Sequence, residues 1–291
     1  MEFSAALLLN AITAGLLLGG LYAALSVGIS ISFGMLDIVN IAHPGFIVLG
    51  SYLAYIINDR WGVDPIAASL ALSPFFFILG MLLYRVYYLC FEQRGQESLR
   101  GLAFFFGILF ITEVALVLIF GVDYRLVQTA YSETTLRLGV VDFPLRLVVP
   151  FLASVTMVVG VQLFLTHTFF GRAVLAVAQD QLALRLMGVN PVRVKEFAFG
   201  LSLATAGFAG AFLIVIQPVQ PAIGREYIGL VFAVCVLGGM GSIWGTLLGA
   251  FVLGLAESFT STFFGPSWAP AVSFGLLLAA LAFKPSGLLG R

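Results

Sequence analysis

The sequence predicts an all-α fold, a polytopic transmembrane helical bundle of about eight spans with broken or re-entrant helices. Of the 291 residues, 61% are hydrophobic and only 10% are charged, whereas ordinary soluble domains have roughly 25% charged residues. The hydrophobic residues form long blocks, each close to the ~20 residues that a helix needs to cross a membrane. Clear examples are residues 5–28, 66–84, 145–165 and 198–216. We therefore expect the chain to lie in a membrane.

The first apolar block resembles a secretory signal only superficially. No lysine or arginine precedes Arg60, and the apolar run is longer than the hydrophobic region of a signal peptide. We predict that this block is the first membrane helix.

The distribution of basic residues predicts which loops lie in the cytoplasm, because short basic loops are retained there. Segments 85–100 and 167–195 are rich in arginine and are placed inside. Segments 58–64 and 219–227 have balanced charges and are placed outside. The short basic end of the chain, 284–291, is predicted to lie inside.

Segment 122–146 contains charges of both signs, so its basic residues do not decide its side of the membrane. That side is predicted from the number of spans on either side of the segment. One predicted span, 101–121, leaves the first cytoplasmic loop, and another, 147–166, returns to the second. The segment between them must then be external. Its alternation from Thr135 to Val140 predicts a small hairpin.

Two stretches do not have the pattern of a continuous membrane-spanning helix. Residues 29–45 and 217–245 are interrupted by glycine, proline and polar residues. Such backbone is tolerated at membrane depth only where it is buried in protein or lines a polar cavity. We expect broken helices here, after the first span of each half.

Signatures of catalysis and nucleotide binding are missing from the sequence. Lysine occurs only at Lys195 and Lys284, and neither follows the glycine pattern of a phosphate-binding loop. The glycine run 238–242 has no strand before it, and no H-E-x-x-H motif occurs. We expect no catalytic residue, no metal site and no cofactor in this chain. Zero net charge gives no indication of nucleic-acid binding, and Cys90 and Cys235 are expected to be free thiols.

The most distinctive segment, 171–191, has helical spacing between Arg172 and Met187. One predicted face consists of Ala173, Ala176, Val177 and Leu184, and the polar residues Arg172, Gln179, Asp180 and Arg185 face elsewhere. The run from Gly188 to Pro191 is suited to ending the helix. From the pattern, this short amphipathic helix either lies on the membrane surface or docks into a groove on a soluble partner.

The same segment resembles a known family. The pattern G-R-A-x-x-A-x-A-x-D of residues 171–180, followed by the G-V-N of 188–190, is similar to the cytoplasmic coupling segment of branched-chain amino acid ABC permeases. Three further stretches resemble that family in the same order along the chain, namely 40–52, 236–257 and 285–291. The sequence departs from the family pattern at Pro44-Gly45, where the family typically has glycine and then an acidic residue.

The resemblance implies one permease domain, 1–291, in a bacterial inner membrane. Its expected partners are a second permease or a copy of itself, two cytoplasmic ATPases that bind ATP and Mg²⁺, an external solute-binding protein and membrane lipid. The solute would be a branched-chain amino acid or a related amino acid, amide, urea or carboxylate. Segment 171–191 would be the coupling segment that carries ATPase motion, and its expected residues are Gly171, Arg172, Ala176, Asp180, Arg185, Gly188 and Asn190.

Polar residues within the apolar blocks are candidates for the translocation path. Asp37, Asn40 and His43 lie in the first broken region, where they either line the path or satisfy freed backbone groups. Glu113 either lines the path or bonds a neighbouring helix. A stand-alone secondary transporter or channel, with Glu113 as its ion or proton site, is the main alternative function, and a membrane-embedded enzyme is a third.

Glu257 and three glycines are expected to contribute to packing between helices. Glu257 is predicted to make a helix-to-helix contact, with polar company at positions 258–261. Gly241, Gly245 and Gly249 form a G-x-x-x-G-x-x-x-G pattern, which lets another helix approach closely.

Overall fold

The computed structural model describes residues 5–95, 98–138, 141–284 and 286–290, and these residues form a polytopic helical bundle, as predicted. Eight of the described helices are long and apolar enough to cross a membrane, by length and composition. In chain order the helices are α1 (Ala5–Ser32), α2 (His43–Trp61), α3 (Pro65–Cys90), α4 (Ser98–Phe120), α5 (Leu145–His167), α6 (Phe169–Gln179), α7 (Gln181–Leu186), α8 (Pro191–Ile216), α9 (Gly224–Gly238), α10 (Ile243–Phe263) and α11 (Ala269–Phe283).

Helices α1 and α8 form the centre of the bundle, and their apolar residues are mostly buried. Small residues allow their neighbours to approach closely. Gly15 and Gly19 of α1 face the backbone of α10, and Gly50 of α2 faces Gly207 of α8. Helices α4 and α11 are mostly exposed, as expected for the periphery of a bundle in lipid.

One end of the bundle gathers the segments predicted to be external. An antiparallel hairpin of β1 (Thr135–Leu138) and β2 (Val141–Pro144) lies here, while Gly139 and Val140 of the predicted hairpin lie outside the described residues. The backbone of Arg125 pairs with Val219 in both directions, at 2.8 and 2.9 Å. Asn10 accepts a hydrogen bond from the amide of Asp142, so α1 begins at the same end of the bundle as the hairpin.

The first predicted break lies between α1 and α2. Helix α1 ends at Ser32, residues 33–42 are turns and irregular chain, and α2 begins at His43. The His43 ring contacts the carbonyl of Leu25, which lies about 10 Å from the end of α1 at Ser32 at the usual helical rise. Helix α2 therefore begins inside the bundle, well away from the membrane surface.

The second break precedes α9. A short 3-10 turn, Pro221–Ile223, leads into Gly224, where a Cβ atom would lie 3.5 Å from the backbone of Pro44 and Gly45. The N-terminal ends of α2 and α9 thus meet inside the bundle. From there α9 runs 15 residues, or about 21 Å, to the end of the bundle that is predicted to be cytoplasmic.

The chain end covers the second glycine region. The amides of Leu288 and Leu289 donate hydrogen bonds to the carbonyl oxygens of Leu237 and Gly238, at 2.8 and 3.0 Å. These carbonyls belong to the last turn of α9 and have no partner within the helix. The tail therefore caps α9, while Pro285 and Arg291 of the same predicted motif lie outside the described residues.

Candidate functional site

The predicted coupling segment is helical but is not one helix, so the prediction of a single helix from Arg172 to Met187 is wrong. Helix α6 ends at Gln179 and α7 begins at Gln181. Between them Asp180 has an extended conformation, and its carboxylate accepts hydrogen bonds from the amides of Leu182 and Ala183, at 2.8 and 3.0 Å. An aspartate in this N-cap role competes with continuing the helix, which explains the break.

The polar side of this segment faces outward. Arg172, Asp180, Arg185, Gly188 and Asn190 are exposed. Gly188 has φ of 80°, which favours glycine. The Asn190 side chain accepts a hydrogen bond from Val192 and begins α8.

The apolar side of the segment packs on the bundle. Ala173, Val177 and Leu184 are buried, whereas Ala176 is half-buried. Gly171 is buried because α6 folds back on α5, and a Cβ atom there would collide with the backbone of Phe164 and Leu165. Gly171 therefore makes a close turn and offers no exposed surface to a partner.

A buried ion pair lies directly behind this segment. Lys195 Nζ on α8 is 2.5 Å from Glu92 Oε1, in the 3-10 turn that follows α3, and their side chains are 7% and 12% exposed. The hydroxyl of Tyr84 donates to the other carboxylate oxygen at 2.8 Å. The two basic loops predicted to be cytoplasmic are thus held together at one end of the bundle.

A polar cavity of about 250 Å³ opens beside this pair. It lies between the end of α3 and the α7–α8 junction, and its lining includes Tyr88, Glu92, Gln181, Arg185 and Lys195. The predicted coupling segment therefore shares a polar surface with the end of α3.

The predicted path residues of the first break are in different places. Asp37 is exposed in the turn after α1, with φ of 58°. Asn40 is fully buried, and neither polar atom of its side chain has a hydrogen-bond partner. The predicted satisfaction of freed backbone groups by this side chain is therefore not observed.

His43 is also fully buried, at the start of α2. Its Nε2 lies 3.1 Å from the carbonyl oxygen of Leu25 and must donate, because a carbonyl only accepts. Nδ1 is then left as an acceptor without a partner. Asn40 and His43 thus bring unpaired polar atoms to the point where α2 begins.

Glu113 of α4 forms an ion pair with Arg225, the second residue of α9. The distance between Glu113 Oε1 and Arg225 Nη2 is 2.8 Å, and the side chains are 13% and 51% exposed. The guanidinium also lies 5.9 Å from the centre of the Phe110 ring. Glu113 therefore contacts a neighbouring helix, and it does so on a partly open face.

Glu257 connects three helices. It accepts a hydrogen bond from Tyr22 of α1 at 2.7 Å and another from Ser273 of α11. Its sequence neighbours bond elsewhere, since Ser258 donates to Ala11 and Thr260 to Ala256. The predicted helix-to-helix contact is present, but its partners differ from the polar company expected at 258–261.

The three glycines predicted to pack helices face other backbone segments. Gly241, with φ of 80°, lies against Gly34 at the end of α1. Gly245 and Gly249 of α10 lie against Gly238 at the end of α9. Both contacts bring helix ends together at the end of the bundle that is predicted to be cytoplasmic.

The sequence did not predict which residues are partners in these long-range contacts. Glu92, Lys195, Arg225 and Tyr22 lie far from their partners in the sequence, and no spacing relates Glu92 to Lys195 or Glu113 to Arg225. Over the described parts of the chain, no group of three or more histidine, cysteine or acidic residues is arranged to hold a metal ion.

Comparison with known proteins identifies the family. A family model described as the permease component of the branched-chain amino acid transport system matches residues 11–281. The high-affinity branched-chain amino acid permease protein BraD of Pseudomonas aeruginosa is 30% identical over 295 residues, which cover 95% of this chain and 94% of BraD. LivH of Escherichia coli, also a high-affinity branched-chain amino acid permease protein, is 28% identical and covers the same shares.

The chain also resembles a second permease protein of the same organism. LivM of Escherichia coli is 26% identical over 291 residues, 92% of this chain and 68% of LivM. No solved structure matches the chain. A multi-pass bundle that matches this family model over nearly its whole length is a transport subunit, and the chain belongs to the permease component family of branched-chain amino acid transport systems.

Proposed function

We propose that this permease forms half of the membrane path of an ABC importer in the bacterial inner membrane. Its relatives are named as branched-chain amino acid permeases, and this supports a branched-chain amino acid or a related small polar solute. The chain resembles both LivH and LivM of one organism, which supports pairing with a second, similar permease over pairing with its own copy.

Two cytoplasmic ATPases, which bind ATP and Mg²⁺, supply the energy in this proposal and dock on the coupling segment. The observation that carries the proposal is the surface of α7, where Leu182, Leu186 and Met187 are 66%, 82% and 80% exposed beside Arg185. Three exposed apolar side chains around a charged one suit the rim of a groove on a partner protein.

The packing of α6 argues against the alternative of a helix lying on the membrane surface. A surface helix inserts its apolar face between lipids, but Ala173, Val174 and Val177 are buried against the protein itself. The apolar side of α6 beyond its first turn is thus already occupied. Helix α7, the polar side of α6 and the exposed side chains of Phe169 and Phe170 are available to a partner.

The translocation path in this proposal runs past the two helix breaks. Asn40 and His43 bring unpaired polar atoms to the start of α2, and Glu113 lies close by on α4, one residue from Thr112, which faces Gly45. A solute-binding protein delivers the solute at the external end, beside the hairpin. Asp37 lies at the cytoplasmic exit.

Co-purification with the ATPases tests the docking surface. The permease is expressed with its genetic neighbours and captured by a tag, and Leu186→Asp and Arg185→Glu are expected to reduce ATPase recovery at least tenfold. Arg137→Glu, in the external hairpin, is the matched control. Normal ATPase recovery with both cytoplasmic variants would remove α7 from the docking role.

A further inference from the structure

We infer that the face of the bundle around Arg225 lines the aqueous path, and that Arg225 binds the carboxylate of the solute as it passes. The inference rests on the proposed function, because it assumes a path for a small polar solute. It assigns a role to α9 that neither the family model nor the sequence motifs indicated.

The ion pair between Glu113 and Arg225 lies below the membrane surface. Helix α4 has 23 residues and is therefore about 35 Å long, slightly more than the ~30 Å of hydrocarbon in a bilayer. Glu113 lies about 10 Å from the external end of α4, at Phe120, by the same helical rise. Its partner Arg225 must lie at a similar depth, since their charged atoms are 2.8 Å apart.

The side chain of Arg225 is partly exposed. Half of its side chain is uncovered in the single chain, and Glu226 beside it is exposed as well. A charged group that faces hydrocarbon below the membrane surface is costly, and such groups normally face protein or a water-filled cavity. Exposed charges such as Arg60, Arg146 and Arg185 lie at the ends of the bundle, where water is available. The face around Arg225 is therefore expected to meet water or protein rather than lipid.

Helix α4 holds the guanidinium of Arg225 in place. An arginine near a membrane surface normally extends towards that surface. Arg225 is instead fixed at the level of two α4 residues, because it pairs with Glu113 and lies 5.9 Å from the ring of Phe110, which is about one helical turn deeper than Glu113. The guanidinium is thus held at depth by α4.

The chemistry of the guanidinium gives the class of ligand. Only Nη2 of Arg225 donates a hydrogen bond, to Glu113, and Nη1 and Nε have no partner among the described residues. A guanidinium binds carboxylates through paired N–H groups. Glu113 fixes the side chain on one edge, and the free edge is open to a solute carboxylate. The ligands that fit are small carboxylates, including amino acids.

Thiol labelling of the assembled transporter tests both parts of the inference. In a Cys90→Ser, Cys235→Ala background, Ile228→Cys is placed one turn from Arg225 on the same side of α9. Leu278→Cys, on the exposed side of α11, is the lipid-facing control, and Asp59→Cys is the external one. The probes are two membrane-impermeant methanethiosulfonates, one bearing a carboxylate and the other a quaternary ammonium.

We expect both probes to label Ile228→Cys and neither to label Leu278→Cys. Replacing Arg225 by glutamine should lower the ratio of anionic to cationic labelling at position 228 at least threefold, because a positive charge about one turn away is lost. Arg225→Lys should retain the ratio.

Two results would overturn the inference. Ile228→Cys that resists both probes while Asp59→Cys reacts shows that lipid or protein covers this face. An unchanged ratio in Arg225→Gln shows that Arg225 does not select carboxylates. ATP-driven leucine uptake by the unlabelled wild-type assembly is measured in parallel, so that a failure of the proposed function is seen separately.

Discussion

Lys195 and Glu92, which are far apart in the sequence, form an ion pair of 2.5 Å behind the coupling segment. Lys195 lies in the second turn of α8, and Glu92 follows α3. Along the bundle, Gly80 of α3 packs against Gly200 of α8. A displacement of the coupling segment is therefore expected to move α3 and α8 together.

Breaking this pair should destabilise the protein. Glu92→Gln or Lys195→Met leaves the other charge in a site that is about nine-tenths buried, and such single replacements cost about 3 kcal/mol or more. Thermal unfolding of the detergent-purified permease measures the effect. The double variant Glu92→Met, Lys195→Met removes both charges and should recover much of the loss.

The exposed pair Arg137–Asp142, at 3.5 Å with side chains 80% and 52% exposed, provides the control. Arg137→Gln should leave the unfolding midpoint unchanged, since exposed pairs contribute little. Equal effects of Arg137→Gln and Lys195→Met would contradict the importance of the buried pair.

Substitutions of Asp180 can distinguish its role as a helix cap from a role of its negative charge. Asp180→Asn keeps an acceptor for the amides of Leu182 and Ala183, whereas Asp180→Ala removes it and should cost about 1 kcal/mol of local stability. We expect the asparagine variant to retain ATP-driven uptake and the alanine variant to lose most of it. Loss of uptake in both variants would contradict this expectation and would assign Asp180 a role through its charge.

Gly245 should not accept a side chain. A Cβ atom there collides with the carbonyl of Gly238, and overpacking of this kind costs about 1–3 kcal/mol. Gly107 of α4 has open space around its Cα, so Gly107→Ala is the matched control. Thermal unfolding should show a lower midpoint for Gly245→Ala only, and equal midpoints would show that α9 and α10 separate easily.

Glu257 should stabilise the contact of α1, α10 and α11. Glu257→Leu leaves the hydroxyls of Tyr22 and Ser273 without their acceptor, and an unpaired buried polar group costs about 1–3 kcal/mol. Glu257→Gln keeps an acceptor and should be milder. Proteolysis of the purified permease measures the difference, and identical digestion rates would show that this carboxylate does not hold the helices.

The sequence was sufficient for the features that depend on local pattern. Apolar block length predicted the spans, and the composition of 29–45 and 217–245 predicted both helix breaks. Glu92 lies with Lys195 and Arg125 with Val219, so these parts of the segments predicted to share a side of the membrane lie together. Arg225 of the predicted external segment 219–227 departs from this pattern, because it pairs with Glu113 inside the length of α4.

Local pattern could not predict the contacts that depend on folding. Periodicity favoured a continuous helix through Asp180, but an aspartate that caps the next turn interrupts it without changing the apolar spacing. The sequence did not predict the partners of Glu113 and Glu257, because Arg225, Tyr22 and Ser273 are brought near them only by helix packing.

The central claim is that partner ATPases drive solute through this permease. Its most direct measurement is uptake of labelled leucine into proteoliposomes that contain the permease, the second permease, both ATPases and the solute-binding protein. We predict uptake that requires ATP and falls at least tenfold with Arg185→Glu while the permease remains inserted. Leucine uptake by this chain alone, driven by an ion gradient and unaffected by ATP, would contradict the account.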